Sequence, residues 1–175
     1  MVVFLNVATF AKHWMGFDPI LLERAVSVAG SIANYGAGQG WAVGMYALSL
    51  RVTRPGLPAW TTNAVPIALA PLASVSPLNA TPGDVQLTLT CTPRLQPEQE
   101  AHASLIFGSR QVMPDSVVTP ADPTQPSTLV FTVPGVEAGE YLVRLRVSGV
   151  DSLPIVTTGT PPTLAFDPQQ KVTVA

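Results

Sequence analysis

The chain has 175 residues, 47% of them hydrophobic and only 11% charged, with a net charge of −2. That is enough apolar chain for a packed domain. The nine Lys and Arg residues are scattered, with Arg144 and Arg146 as the nearest thing to a cluster, which argues against a nucleic-acid partner because phosphate binding needs a dense positive stripe. Eighteen prolines and thirteen glycines without a period rule out a helical bundle, and the single cysteine, Cys91, rules out an internal disulfide.

Residues 1–43 form a poorly defined N-terminal segment. Val2 to Leu5 is apolar, but no basic residue precedes it, so no signal peptide is recognised. Asp18-Pro19 is a helix start, and Ile20, Leu21, Ala25, Val28, Ala29 and Ile32 fall on helical spacing, which predicts a short helix over 18–33. Residues 25–50 carry no charge and are long enough to span a bilayer. Gly30, Gly36, Gly38, Gly40 and Gly44, with Ser27, Ser31, Asn34 and Gln39, break up that stretch, so membrane contact is not expected.

Gly44-Met45-Tyr46-Ala47-Leu48-Ser49-Leu50-Arg51-Val52 is similar to Gly139-Glu140-Tyr141-Leu142-Val143-Arg144-Leu145-Arg146-Val147: Gly, Tyr, Leu, Arg and Val recur at an offset of 95 residues. That offset is about one sandwich domain. Residues 44–71 then read as the last two strands of an incomplete immunoglobulin-like repeat, with Asn63 to Ala70 as its final strand.

Residues 72–175 read as a complete immunoglobulin-like antiparallel β-sandwich, so the fold class is all-β. Pro82-Gly83-Asp84 turns the chain, after which Val85, Leu87, Leu89 and Cys91 alternate with Gln86, Thr88, Thr90 and Thr92 until Pro93 stops the strand. His102 to Phe107 follows, with Ala103, Leu105 and Phe107 facing in and Gly108-Ser109 turning. Residues 114–126 hold four prolines and read as loop or short edge strand. Leu129, Phe131 and Val133 share a face, and Pro134-Gly135 is expected to close that strand. In Glu140 to Ser148, Tyr141, Val143, Leu145 and Val147 face one way and Leu142, Arg144, Arg146 and Ser148 the other, with Gly149 as the breaker. Lys171 to Val174 is the last strand, with Val172 and Val174 together.

Tyr141, and Tyr46 in the upstream copy, stand where a sandwich tyrosine turns its hydroxyl back onto the main chain to pin a corner. The alternative is an ordinary half-buried strand tyrosine. Arg144 and Arg146 are read either as a solvated face paired with acids such as Glu137 or Glu140, or, with Leu142, as a partner surface, where arginine is enriched.

The run Trp60-Thr61-Thr62-Asn63-Ala64-Val65-Pro66, with Leu69-Ala70-Pro71 and Val75-Ser76-Pro77, resembles a junction between two immunoglobulin-like repeats. Residues 139–152, with Phe166-Asp167-Pro168 and Lys171-Val172-Thr173-Val174, resemble the C-terminal part of the tube- or sheath-terminator (cap) proteins of phage-tail-like contractile injection systems. Members of that family carry an N-terminal terminator domain, followed in many cases by sandwich repeats. The similarity covers residues 44–175 and not 1–43, so tube capping is not carried over, nor is any functional residue. The resemblance implies a module that contacts protein subunits of a larger assembly, in the cytoplasm or within an assembled particle.

Chemistry-bearing constellations are sparse. His13 and His102 have no second ligand at metal spacing, and Cys91 lies on an inward strand face. Gly36-Ala37-Gly38-Gln39-Gly40 lacks the Lys-Ser/Thr of a phosphate loop. Asp115, Asp122, Asp151 and Asp167 sit in expected loops without an Asp-x-Asp cluster for calcium. No catalytic residue, cofactor, metal or small-molecule substrate is therefore expected, and the chain does not read as an enzyme. The competing reading is an adhesion or carbohydrate-binding sandwich of a secreted or cell-surface protein. Against it, Trp14, Trp41 and Trp60 all precede the well-formed domain.

Overall fold

The computed structural model describes residues 2–3, 11–12, 16–17, 41–49, 51–52, 56, 58, 60–61, 64–160 and 163–175. The expected helix at 18–33, the 36–40 glycine run, His13 and Trp14 lie outside the described residues. The first strands are β1 (Val2–Val3), β2 (Ala11–Lys12), β3 (Gly16–Phe17), β4 (Gly44–Leu48), β5 (Arg51–Val52), β6 (Trp60–Thr61) and β7 (Val65–Ala70). Next come β8 (Leu72–Ser76), β9 (Asn79–Ala80), β10 (Gly83–Thr92), the single-turn helix α1 (Pro97–Glu100), β11 (Ala103–Phe107), β12 (Arg110–Val112) and β13 (Ser116–Val118). The rest are β14 (Ser127–Val136), β15 (Gly139–Val147), β16 (Val150–Asp151), β17 (Ile155–Thr158), β18 (Thr163–Phe166), a 3-10 turn (Pro168–Gln170) and β19 (Lys171–Val174).

From Leu72 on, two sheets face each other. One runs β13-β14-β10-β8, the other β12-β11-β15-β19-β9, with β16 paired to β15. All pairs are antiparallel except β9 with β19. This is an all-β sandwich.

The alternation in the sequence is what builds the layers. Val85, Leu87, Leu89 and Cys91 of β10, Leu129, Phe131 and Val133 of β14, and Ala103, Leu105 and Phe107 of β11 are all buried. Opposite the β10 and β14 side chains, in the same sheet as β11, lie Val143, Leu145 and Val147 of β15 and Val172 and Val174 of β19, also buried. Leu87 stands across from Phe131, so the largest side chains sit mid-core. The same core takes in Val43 and Ala70, which flank the upstream strands.

Those upstream strands form a three-stranded sheet, β1-β7-β4. β4 and β7 pair with Gly44 opposite Leu69 and Tyr46 opposite Ile67. β15 and β19 pair in the same sense, with Gly139 opposite Val174 and Tyr141 opposite Val172. The nine-residue upstream strand expected from the repeat is interrupted after Leu48, and Arg51–Val52 pairs instead with Trp60–Thr61.

One expectation is corrected. Pro134-Gly135 does not close its strand, because β14 continues to Val136. Val133 faces Val85 while Val136 faces Gly83, so β14 holds one extra residue at that point, a bulge. Gly135 takes a φ of 57° there, and its N–H donates to Asp84 Oδ1 at 3.0 Å. Gly149 follows the end of β15 at Val147, as expected, and the turn it makes continues the sheet. Ser148 (φ 49°) and Gly149 (φ 81°) form a two-residue turn with both φ positive, which folds β16 straight back onto β15.

Candidate interaction surface

The outward face of β15 presents Leu142, Arg144 and Arg146, as the alternation requires. All three are half-buried. The tight Ser148-Gly149 turn lays Asp151 directly across from Arg146. Arg144 Nη1 donates to Asp151 Oδ2 at 3.1 Å, while Arg146 donates through Nε to Oδ1 and through Nη2 to Oδ2 at 3.0 Å. This fork-to-carboxylate geometry holds the guanidinium charged, and its pKa is raised by the Asp151 hydrogen bonds and charge.

The partner acid is thus Asp151, and the expected pairing with Glu137 or Glu140 is replaced. Glu140 instead meets Lys171 on β19, Oε2 to Nζ at 2.6 Å. Two arginines share one carboxylate, so the patch keeps a net positive charge. Ile106 of β11 lies directly opposite Arg144 on the same outward face, yet is only 7% exposed. Its cross-strand neighbours are Arg144 and Gln111, whose long stems are placed to cover it. Gln111 Nε2 donates to Ser104 Oγ at 3.1 Å. The patch is therefore a polar rim around an aliphatic floor. A depression of about 320 Å³ beside it is lined by residues including His102, Ser104, Gln111 and Arg146.

Both tyrosines act as corners. Tyr141 Oη donates to the Glu137 carbonyl at 3.0 Å, and its ring stacks on Phe107 with centroids 4.5 Å apart. Tyr46 Oη donates to the Ala42 carbonyl at 2.7 Å and its ring stacks on Trp41 at 5.2 Å. In each case the acceptor lies four residues upstream. Desolvation at Tyr46 raises its pKa, with the Ala42 hydrogen bond opposing.

Cys91 is fully buried, and desolvation lifts its thiol to about 12, so it is no nucleophile in the folded state. Among the described residues no group of three or more His, Cys, Asp and Glu is placed to hold a metal, and no helix is long and apolar enough to cross a membrane. Asp122 is held below the usual carboxylate range by the Thr124 backbone N–H and hydroxyl, which makes it a turn-former. A groove of about 560 Å³ runs along β9, the start of β10 and the end of β19, and is lined by residues including Asn79, Asp84, Gln86 and Thr173.

Sequence reasoning missed a second surface feature. β17 and β18 form a separate two-stranded ribbon, with Ile155 opposite Phe166. Phe166 is 73% and Leu164 74% exposed, and with Ile155 they share one face. A buried polar clamp sits at its base. Ser152 Oγ accepts from Leu145 N at 3.0 Å and donates to Gln170 Oε1 at 3.0 Å. Gln170 Nε2 donates to the Leu153 carbonyl at 2.9 Å and reaches Asp167 Oδ2 at 3.3 Å. Asp167 in turn caps the 3-10 turn through Gln169 N. Among the described residues no buried side-chain nitrogen or oxygen is left without a partner. The signal was present as two apolar runs around Gly159, which are not among the expected strands.

The fold and these surfaces define an all-β sandwich module with a charged strand face and a projecting ribbon. Residues 66–173, more than half of the chain, match the family DUF8756, a domain of unknown function, and the protein belongs to that family. No curated protein and no solved structure matches the chain.

Proposed function

We propose that the protein is a non-catalytic structural and protein-interaction module, an accessory part of a terminator or cap protein of a contractile injection system. Its partners are protein subunits of the particle, and it works in the cytoplasm or within the assembled particle. The observation that carries the contact reading is the outward face of β15. There Arg144 and Arg146 share the single carboxylate of Asp151 beside Leu142 and the covered Ile106, a combination of residual positive charge and aliphatic surface that suits an acidic-rimmed partner. The resemblance of residues 139–175 to the cap family supplies the assembly.

The upstream sheet belongs to the same reading, as the closing strands of a preceding repeat. The support is the shared Gly–x–Tyr placement, the shared hydroxyl-to-carbonyl bond four residues back, and the shared antiparallel pairing with the strand that follows.

The test is Arg144→Glu with Arg146→Glu, co-expressed with the sheath, tube and baseplate proteins of a contractile injection system. The expected result is an unchanged melting profile and loss of incorporation into particles. Full incorporation of a folded double variant would overturn the contact role.

A further inference from the structure

The upstream sheet meets the sandwich core at two buried points. On one side β7 runs into β8 through Pro71 alone, and Ala70 and Ala73 are buried in one core. On the other, Val43, the residue before β4, is 2% exposed in that same core. The polar tie at this second point is Gln99, the third residue of α1, itself only 9% exposed. Its Oε1 accepts from Gln96 N at 3.2 Å, which orients the amide. Its Nε2 donates to the Val43 carbonyl at 2.6 Å and reaches Ser148 Oγ at 3.5 Å, a marginal bond. Ser148 is the single described non-glycine residue with positive φ, and its N–H donates to the His102 carbonyl just past α1. β16, beyond that turn, packs beside β7. One amide therefore ties the helix, the strained turn and the chain entering the upstream sheet.

We propose that Gln99 is a latch that fixes the upstream sheet on the sandwich, so that β4, β7 and β8 act as a rigid coupler and not as a hinge between two bodies. A buried carbonyl that loses its donor is costly, whereas an exposed linker would not need one. The latch thus adds a directional polar tie to the apolar contact that Val43, Ala70 and Ala73 make with the sandwich core.

The experiment is amide hydrogen exchange on the whole chain, comparing the wild type with Gln99→Glu, which keeps the shape and removes the donor, and with Gln99→Ala. The expected result is exchange about tenfold or more faster in residues 44–48 and 65–70, with 87–91 and 143–147 unchanged. Unchanged exchange at 44–48 in either variant would overturn the latch, as would an equal acceleration in 87–91. The wild type alone also tests it: the amides of 44–48 are expected to exchange within about tenfold of those of 171–174, and exchange roughly a hundredfold faster would show a hinge.

Discussion

The Tyr141 hydroxyl reaches a main-chain carbonyl four residues back, and its ring lies on Phe107, so the residue is bound at both ends. The ring contact survives a change to phenylalanine and the hydrogen bond does not. Tyr141→Phe is therefore expected to cost about 1 kcal/mol in urea unfolding, the usual worth of one such bond. Cys91 gives a pH-dependent counterpart. Burial raises its thiol from 9.0 to about 12, so the folded chain keeps the proton when the unfolded chain has lost it. The contribution is whole below pH 9 and is lost as pH climbs towards 12, because over that span only the unfolded state ionises. Unfolding free energies measured from pH 8 to 11 should fall more steeply in the wild type than in Cys91→Ala, and parallel curves would contradict this. The partner of Arg144 and Arg146 was the least legible residue in the sequence. Glu137 and Glu140 stand nearer along the strand, and Asp151 comes into reach only because Ser148 accepts a left-handed backbone. Ser-Gly is itself a turn signal, and taking it as a tight turn would have placed Asp151 correctly.

At the level of elements, period-two alternation made the central strands readable, because a strand half-buried between layers must alternate. Elements that depend on something other than alternation were not readable. β14 passes through Pro134-Gly135 because a bulge absorbs both residues and Asp84 satisfies the freed Gly135 N–H. β9 is two residues long and earns its place by parallel pairing with β19, a long-range contact with no local trace. The ribbon β17–β18 was not among the expected strands. It is also energetically apart from the sandwich, since a lone two-stranded ribbon is marginal by itself and the β18 residues are all exposed. Its anchorage lies in Ser152, Asp167 and Gln170, below the ribbon. Replacing residues 156–165 with a Gly-Ser turn is expected to leave the urea midpoint of the sandwich nearly unchanged. A large downward shift would show that the ribbon supports the core. Ser152→Ala or Gln170→Ala, which strand buried partners, should by contrast be destabilising by about 1–3 kcal/mol.

On the scale of the whole molecule, the apolar core does not stop where the sandwich begins. It extends to Val43 and Ala70, and the expected partition of the chain near residue 71 is a change of sheet within a continuous packing. The composition anticipated a core of this size without a staple, and the covalent side of that point has its own outcome. The sole thiol of the chain is sealed between the two layers, where neither another thiol nor an oxidant can meet it. Nothing in the cohesion of the molecule is oxidised or reduced. The cohesion of the sandwich is therefore expected to be indifferent to the redox poise around it, with the same urea midpoint in the presence and absence of a thiol reductant.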